Sequence, residues 1–150
     1  MLAIRLQRLK NQMIRIIEKI KREEGDKAFM YKCPAGYWTV GAGINLERQE
    51  MPQEVRDLWL NIIIDRLNGD LMRACDLFHG DTENCDVDYV MFDMAYQMGI
   101  AGLMKFKKML AAIAIEDYAT AADELLNSKY AREDSPNRAK RNADILRGLE

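Results

Sequence analysis

Apolar residues near the start of the chain recur at alternating steps of three and four positions, which predicts an amphipathic helix. Arginines and lysines occupy the other face of this helix, and Gly25 ends it because glycine tolerates the left-handed conformation of a helix C-terminus. We expect the apolar stripe to dock on the body of the protein, with a membrane surface or a partner protein as the alternative. The stripe consists of Leu6, Leu9, Met13, Ile16 and Ile20.

After this helix the pattern changes to short runs of β-branched and aromatic residues. Residues 28–45 carry Phe, Tyr, Trp, Thr and Val, and Pro34-Ala35-Gly36 lies between two of the runs. Such alternation around glycine and proline predicts a small β-hairpin or meander. A sheet of this size is not stable alone, so it must pack against helices.

Helical periodicity returns at Pro52, a residue suited to a first helical turn, and predicts a long helix that stops near His79-Gly80. The next helix, 87–98, has apolar residues on every side, as expected at the centre of a bundle. Shorter helices are predicted over 104–113, 117–126 and 136–149. We therefore predict an α+β fold, mainly α, as a single domain over 1–150: an N-terminal helix (1–24) packing on a helical lobe, a small β lobe (25–52), a connecting helix (53–79) and the helical lobe (80–150).

Composition narrows the functional classes. The 150 residues suffice for a core without disulfides, and three cysteines cannot all pair, which favours a reducing compartment of synthesis. The 22 basic and 24 acidic side chains nearly cancel, which argues against nucleic-acid binding through the whole surface. The sequence shows no secretory signal or membrane span. The only histidine of the sequence, His79, lies at a predicted helix end, which argues against a serine–histidine–acid site.

Three residues of the first third have a spacing that indicates chemistry. Eight residues separate Glu24 from Cys33, and five separate Cys33 from Thr39. Cleavage of a glycosidic bond needs a carboxylic acid that protonates the leaving oxygen and a second group that delivers water or attacks the sugar. Alone, each residue has an ordinary interpretation: a solvated glutamate, a small buried cysteine and a strand threonine. The paired spacing favours the catalytic interpretation.

This segment resembles the active-site segment of the phage lysozymes of glycoside hydrolase family 24, whose pattern has Asp or Cys at the position of Cys33, with Asp in the better-known members. Two more blocks, Met94–Gly99 and Ser135–Arg141, resemble the C-terminal lobe of that family in the same order. The resemblance covers roughly residues 20–148. It implies a lysozyme-like fold with two lobes joined by the long helix.

The resemblance also implies roles for individual residues. Glu24 is expected to be the general acid at the floor of an interlobe cleft, where partial burial would keep it protonated near neutral pH. Cys33 would act as thiolate, Thr39 would hold the nucleophilic water, and the anomeric centre would be inverted. Arg138 is expected near Glu24. Glu23 with Arg141 is a supporting pair, and the implied substrate-binding residues are Tyr96, Gln97, Met109 and Glu124.

The resemblance implies an endolysin, a muramidase that hydrolyses the β-1,4 bond between N-acetylmuramic acid and N-acetylglucosamine. We expect no cofactor and no metal, a monomer, and peptidoglycan polysaccharide as the partner, without nucleic acid or stable membrane insertion. The chain would stay in the host cytoplasm and reach the wall after the membrane is opened. The alternatives are a lytic transglycosylase that leaves anhydro-muramyl ends and a non-catalytic wall-binding phage component.

Overall fold

The structure, a computed structural model, describes residues 2–83 and 85–149, without the side chains at positions 2, 3 and 5. The ends of the predicted domain, residues 1 and 150, lie outside this description. A long N-terminal helix is followed by a small antiparallel sheet and then by a series of helices. The predicted fold class, α+β and mainly α, is confirmed. The chain divides into two compact units, Met1–Asp57 and Leu58–Glu150.

The first unit begins with helix α1, Leu2–Glu24. Its predicted end is confirmed: Gly25 has a φ of +75°, and its N–H donates to the carbonyl of Lys21 at 3.0 Å. Directly beyond the helix, Asp26 forms an ion pair with Lys21 at 2.9 Å. Glu24 is therefore the last residue of the helix, followed at once by the sheet. The packing of α1 on the helical lobe stays a prediction.

The predicted meander is a three-stranded antiparallel sheet in the order β1-β2-β3. In the register, Tyr31 lies opposite Thr39, and Thr39 lies opposite Asn45 on the other side. Thr39 is therefore in the middle strand, where it is 3% exposed. The strands are β1, Lys27–Lys32; β2, Trp38–Gly41; and β3, Ile44–Asn45.

A short turn after β3 holds the open end of the sheet. The side-chain oxygen of Asn45 accepts hydrogen bonds from the N–H groups of Glu47 and Arg48, at 2.9 and 3.0 Å. The Glu47 carboxylate reaches back to accept the N–H of Trp38 at 2.9 Å, and Lys32 lies 3.6 Å away. The Trp38 hydrogen bond, helped by the charge of Lys32, lowers the pKa of Glu47.

Helix α2, Gln53–Ala74, begins after Pro52 as predicted and ends before the predicted end at residue 79. Its apolar pattern continues past Ala74 because the chain buries Phe78 from a turn instead of a helix. The N–H of Phe78 donates to the carbonyl of Cys75 at 3.0 Å, and both side chains lie in the core. The spacing of apolar residues indicates which positions are buried. Over a single turn of chain it does not distinguish a helical backbone from a non-helical turn.

Helix α3, Asp86–Met98, is the central helix of the second unit. Its residues Val90, Met91 and Met94 are fully buried, which agrees with the predicted central position. Residue Pro136 occupies the first turn of the last helix, directly after Ser135, as the sequence predicts. The other helical segments are α4, Ile100–Leu103; α5, Lys107–Ile113; α6, Tyr118–Leu126; a π-helical turn, Tyr130–Asp134; and α7, Pro136–Arg147.

The segment between α2 and α3 is held by a buried carboxylate. Asp88 is 0% exposed and accepts the N–H of His79 at 3.1 and 3.0 Å and the N–H of Asp81 at 2.9 Å. A carboxylate this deeply buried is stable only when hydrogen bonds replace its hydration. Asp88 thus fastens the segment that follows α2 to the first turn of α3.

We expect Asp88→Ala to lower the free energy of unfolding by about 2–4 kcal/mol, because it leaves two N–H donors without their acceptor. Asp86→Ala is the control, since Asp86 lies on the same helical turn but is exposed, and it should cost less than about 1 kcal/mol. Urea unfolding of both variants measures the difference. Equal losses would mean that Asp88 does not hold the segment.

Candidate functional site

Glu24 lies at the junction of α1 and the sheet, with its carboxylate against the turn between β2 and β3. A Cβ atom placed on Gly43 of that turn would be 3.4 Å from Oε2 of Glu24 and 3.7 Å from its Cδ. The glutamate is otherwise exposed. The predicted general acid therefore lies at the surface, beside the turn between β2 and β3.

Glu23, the residue before it, is an exposed member of α1. Its carboxylate lies 3.7 Å from Nζ of Lys19, one helical turn earlier. Both side chains are well solvated, so this pair contributes little to stability. The predicted pairing of Glu23 with Arg141 stays a prediction.

Cys33 begins the turn that joins β1 to β2. The N–H of Gly36 closes this turn on the Cys33 carbonyl at 2.8 Å, and Gly36 has a φ of +85°. Partial burial alone would raise the pKa of the Cys33 thiol. Hydrogen bonds to the sulfur from the Tyr37 and Ala35 backbone and from the Thr39 hydroxyl outweigh it, so the pKa lies below the ordinary value. The turn thus favours the thiolate.

Thr39 shares its hydroxyl between two neighbours. The oxygen lies 3.1 Å from the carbonyl of Tyr37, to which it donates, and it also interacts with the Cys33 sulfur. A hydroxyl has one proton, so it donates either to the carbonyl or to the sulfur. The structure therefore brings Thr39 and Cys33 together. The role of Thr39 in holding water stays a prediction.

Tyr96 and Gln97, near the end of α3, have different surroundings. Tyr96 is 44% exposed and borders a groove of about 310 Å³ together with Tyr89 and Phe92. Gln97 accepts a hydrogen bond from the hydroxyl of Tyr130 at 2.6 Å. An exposed tyrosine beside a second aromatic ring offers a flat apolar surface of the kind that stacks on a sugar.

Arg138 borders the same groove and binds a carboxylate that the sequence analysis did not identify. Its Nε lies 2.9 and 2.8 Å from the two oxygens of Asp93, and Asn142 donates to the same carboxylate at 2.9 Å. Burial alone would raise the pKa of Asp93. The hydrogen bonds from Arg138 and Asn142 and the charges of Arg138 and Arg141 outweigh this effect, so the pKa lies below its ordinary value. Asp93 stays ionised and fixes the guanidinium.

A sequence signal for Asp93 exists. It lies on a helix whose neighbouring positions Met91, Met94 and Ala95 are apolar and buried. A carboxylate among such residues requires a cationic or hydrogen-bonding partner. The predicted proximity of Arg138 to Glu24 stays a prediction, and Asp93 is the partner of Arg138 within the second unit.

Met109 and Glu124 border a second groove, of about 360 Å³, together with Lys105, Lys107 and Lys108. Met109 is 1% exposed and packs in the core, so little of its surface is available to a ligand. Glu124 lies 3.7 Å from the ammonium group of Lys108. This groove therefore presents a mainly cationic rim.

Within residues 2–83 and 85–149, no group of three or more His, Cys, Asp or Glu side chains could hold a metal ion.

Comparison with known proteins agrees with the resemblance seen in the sequence. No known family profile matches the chain. The chain is 27% identical to "Probable T4-type lysozyme 1" of Dictyostelium discoideum, an alignment that covers 87% of this chain and 92% of the relative. The chain is therefore similar to a T4-type lysozyme over most of its length.

The Asp93–Arg138 pair predicts a dependence of stability on pH. Folding lowers the pKa of Asp93. The contribution of this residue to the free energy of unfolding is therefore complete above its pKa in the unfolded chain, about 3.9, and is lost as pH falls through its lower pKa in the folded protein. We expect Asp93→Asn to lose about 2 kcal/mol at pH 7 and to become less sensitive to acid below about pH 4.

Asp144→Asn is the matched control, since Asp144 forms an exposed pair with Lys140 on α7 at 2.6 Å. It should cost at most about 0.5 kcal/mol. The measurement is thermal unfolding of both variants between about pH 2 and pH 7, a range that includes the pKa values of carboxyl groups. A parallel pH dependence in wild type and Asp93→Asn would contradict the assignment.

Proposed function

We propose that this chain is a peptidoglycan muramidase with Glu24 as its general acid. Similarity to a probable T4-type lysozyme over most of both chains supports the assignment as a lysozyme, a glycoside hydrolase. The observation that carries the catalytic assignment is the placement of Glu24, Cys33 and Thr39 around one three-stranded sheet. Glu24 ends the preceding helix, and the Cys33 sulfur meets the Thr39 hydroxyl.

In this proposal the two reacting groups have opposite protonation states. Glu24 donates its proton to the glycosidic oxygen as the bond from that oxygen to the anomeric carbon breaks. Water adds to the anomeric carbon and gives its proton to the Cys33 thiolate. The products are a carboxylate at Glu24 and a thiol at Cys33, and exchange of one proton with solvent restores each. The lowered pKa of Cys33 supports its role as the base.

The biological setting that we propose is lysis of a bacterial host by a phage endolysin. The support is the resemblance of the active-site segment and two C-terminal blocks to the phage lysozymes. Across the part of the chain that the structure describes, no helix is long and apolar enough to span a membrane. We propose that the chain acts on the wall after the host membrane has been opened.

A second candidate is a lytic transglycosylase, and the cysteine at position 33 favours it. Such an enzyme needs one catalytic acid, because a hydroxyl of the substrate itself closes on the anomeric carbon. Mass spectrometry of digested peptidoglycan distinguishes the two reactions. A muramidase leaves reducing N-acetylmuramic acid ends, a transglycosylase leaves 1,6-anhydro ends, and a non-catalytic wall-binding protein leaves the wall uncut.

We expect Glu24→Gln to fold normally and to lose about 10²–10⁴-fold in kcat, because an amide cannot protonate the leaving oxygen. Glu18→Gln is the control, since it makes the same chemical change on an exposed residue of α1. Release of reducing ends from purified peptidoglycan measures both. If Glu24→Gln kept more than about a tenth of the wild-type rate, Glu24 could not be the general acid.

The second prediction of this function concerns the thiolate. Cys33→Ser should lower kcat sharply, because a serine hydroxyl stays protonated at neutral pH, whereas Cys33→Asp should retain a large share of activity through its carboxylate. Alkylation by iodoacetamide should inactivate the wild type, and the reaction should reach half its maximal rate below about pH 8.5.

Cys85→Ser is the control, since Cys85 is also a partly buried free cysteine. It should leave turnover and inactivation unchanged. Wild-type activity in Cys33→Ser, with anhydro-muramyl ends in the product, would make the thiol a spectator and favour the transglycosylase.

A further inference from the structure

The apolar stripe of α1 faces solvent along most of the helix. Residues spaced by three and four positions share one side of a helix, so the stripe forms a continuous surface. Each of its five side chains is between 44% and 62% exposed. Apolar surface of this extent on a solvated helix marks an interaction site. The five residues are Leu6, Leu9, Met13, Ile16 and Ile20.

The charges of α1 are predominantly basic, and they flank the stripe. The helix carries seven basic and three acidic side chains, and no acidic residue precedes Glu18. With about 3.6 residues per turn, Lys10 and Lys21 border the stripe on one side, and Arg8 and Lys19 border it on the other. Long basic side chains at such edges keep their charges in a polar layer while their stems cover apolar surface.

Acidic neighbours neutralise only the C-terminal part of the helix. Glu23 lies 3.7 Å from Lys19, and Asp26 lies 2.9 Å from Lys21. The remaining basic side chains form no ion pair with any other residue that the structure describes, so most of the positive charge is available to an external partner. These side chains are Arg8, Lys10, Arg15 and Arg22.

We propose that α1 binds the surface of an anionic lipid bilayer. The helix lies in the plane of the interface, with its apolar stripe among the upper parts of the acyl chains and its basic flanks at the lipid phosphates. Such binding adds the burial of apolar area to the attraction between basic side chains and anionic lipids. An anionic polysaccharide would meet the basic side chains but leave the stripe in water. A bilayer accounts for both features of the helix.

The first experiment is co-sedimentation of the full chain with vesicles of phosphatidylcholine and phosphatidylglycerol in equal parts. Binding should be about tenfold or more weaker to vesicles of phosphatidylcholine alone, and added salt should weaken binding to the anionic vesicles. Hydrogen exchange of the unmodified protein provides a second measurement. The anionic vesicles should slow exchange of the backbone amides of α1 and leave those of α7 unchanged.

Two pairs of substitutions test the stripe with the same chemical change on one helix. Ile16→Gln with Ile20→Gln removes two members of the stripe, and binding to anionic vesicles should fall about tenfold or more. Ile4→Gln with Ile14→Gln is the control, since both residues are exposed on α1 outside the stripe. The control should bind within about twofold of the wild type. Both variants should retain wild-type turnover on purified peptidoglycan, which contains no lipid.

Two further pairs test the charge. Arg8→Gln with Lys10→Gln removes one basic residue from each flank and should weaken binding to anionic vesicles about tenfold or more. Arg56→Gln with Arg66→Gln is the control, because it changes the net charge equally at exposed positions outside α1. Similar losses in both pairs would show that net charge, and not α1, determines binding.

Two other occupants of the stripe are distinguishable outcomes. If the stripe docks on the protein's own helical lobe, the wild type should not bind vesicles, and Ile16→Gln with Ile20→Gln should lower both the thermal unfolding midpoint and turnover. If it docks on a second copy, light scattering should show a dimer that these substitutions dissociate, again without vesicle binding. Either result, or equal vesicle binding by the two isoleucine pairs, would overturn the proposal.

Discussion

The end of the first helix is the constraint on which the candidate site depends. Gly25 takes the left-handed conformation, its N–H returns to the Lys21 carbonyl, and the chain enters the sheet two residues later. Glu24 is thereby the last residue with a helical backbone, and its side chain leaves the helix toward a turn of the sheet. Without this stop, Glu24 would be one more residue along a charged helix.

Two buried carboxylates give the central helix of the second unit its polar functions. Asp88, in the first turn of α3, binds backbone N–H groups, and Asp93, in its middle, binds a guanidinium and an amide. Both lie on a helix that is otherwise apolar on most sides. The first keeps a connecting segment in place, and the second orients a cation at the edge of a groove. Each carboxyl group is tolerated in the interior because its hydrogen-bond partners replace water.

The sequence allowed prediction of features that depend on local chemistry. The stop at Gly25, the small sheet with its glycine turns, and the first turn at Pro136 follow from backbone preferences of single residues. The end of α2 was not predictable, because Phe78 continues the apolar spacing from a turn. The pairing of Asp93 with Arg138, and the approach of the Glu24 side chain to the turn at Gly43, depend on distances between remote positions that no local pattern contains.

The single proton of Thr39 links the chemistry of the sulfur to the hydrogen bonding of the hairpin. When the hydroxyl donates to the Tyr37 carbonyl, it ties the middle strand to the turn that carries Cys33. When it donates to the sulfur, that tie is released. Ionisation of the thiol and the hydrogen bond to the Tyr37 carbonyl therefore compete for one proton, through rotation about the threonine Cβ–Oγ1 bond. The turn itself does not depend on the outcome, because the N–H of Cys33 keeps its own hydrogen bond to the Tyr37 carbonyl at 3.0 Å.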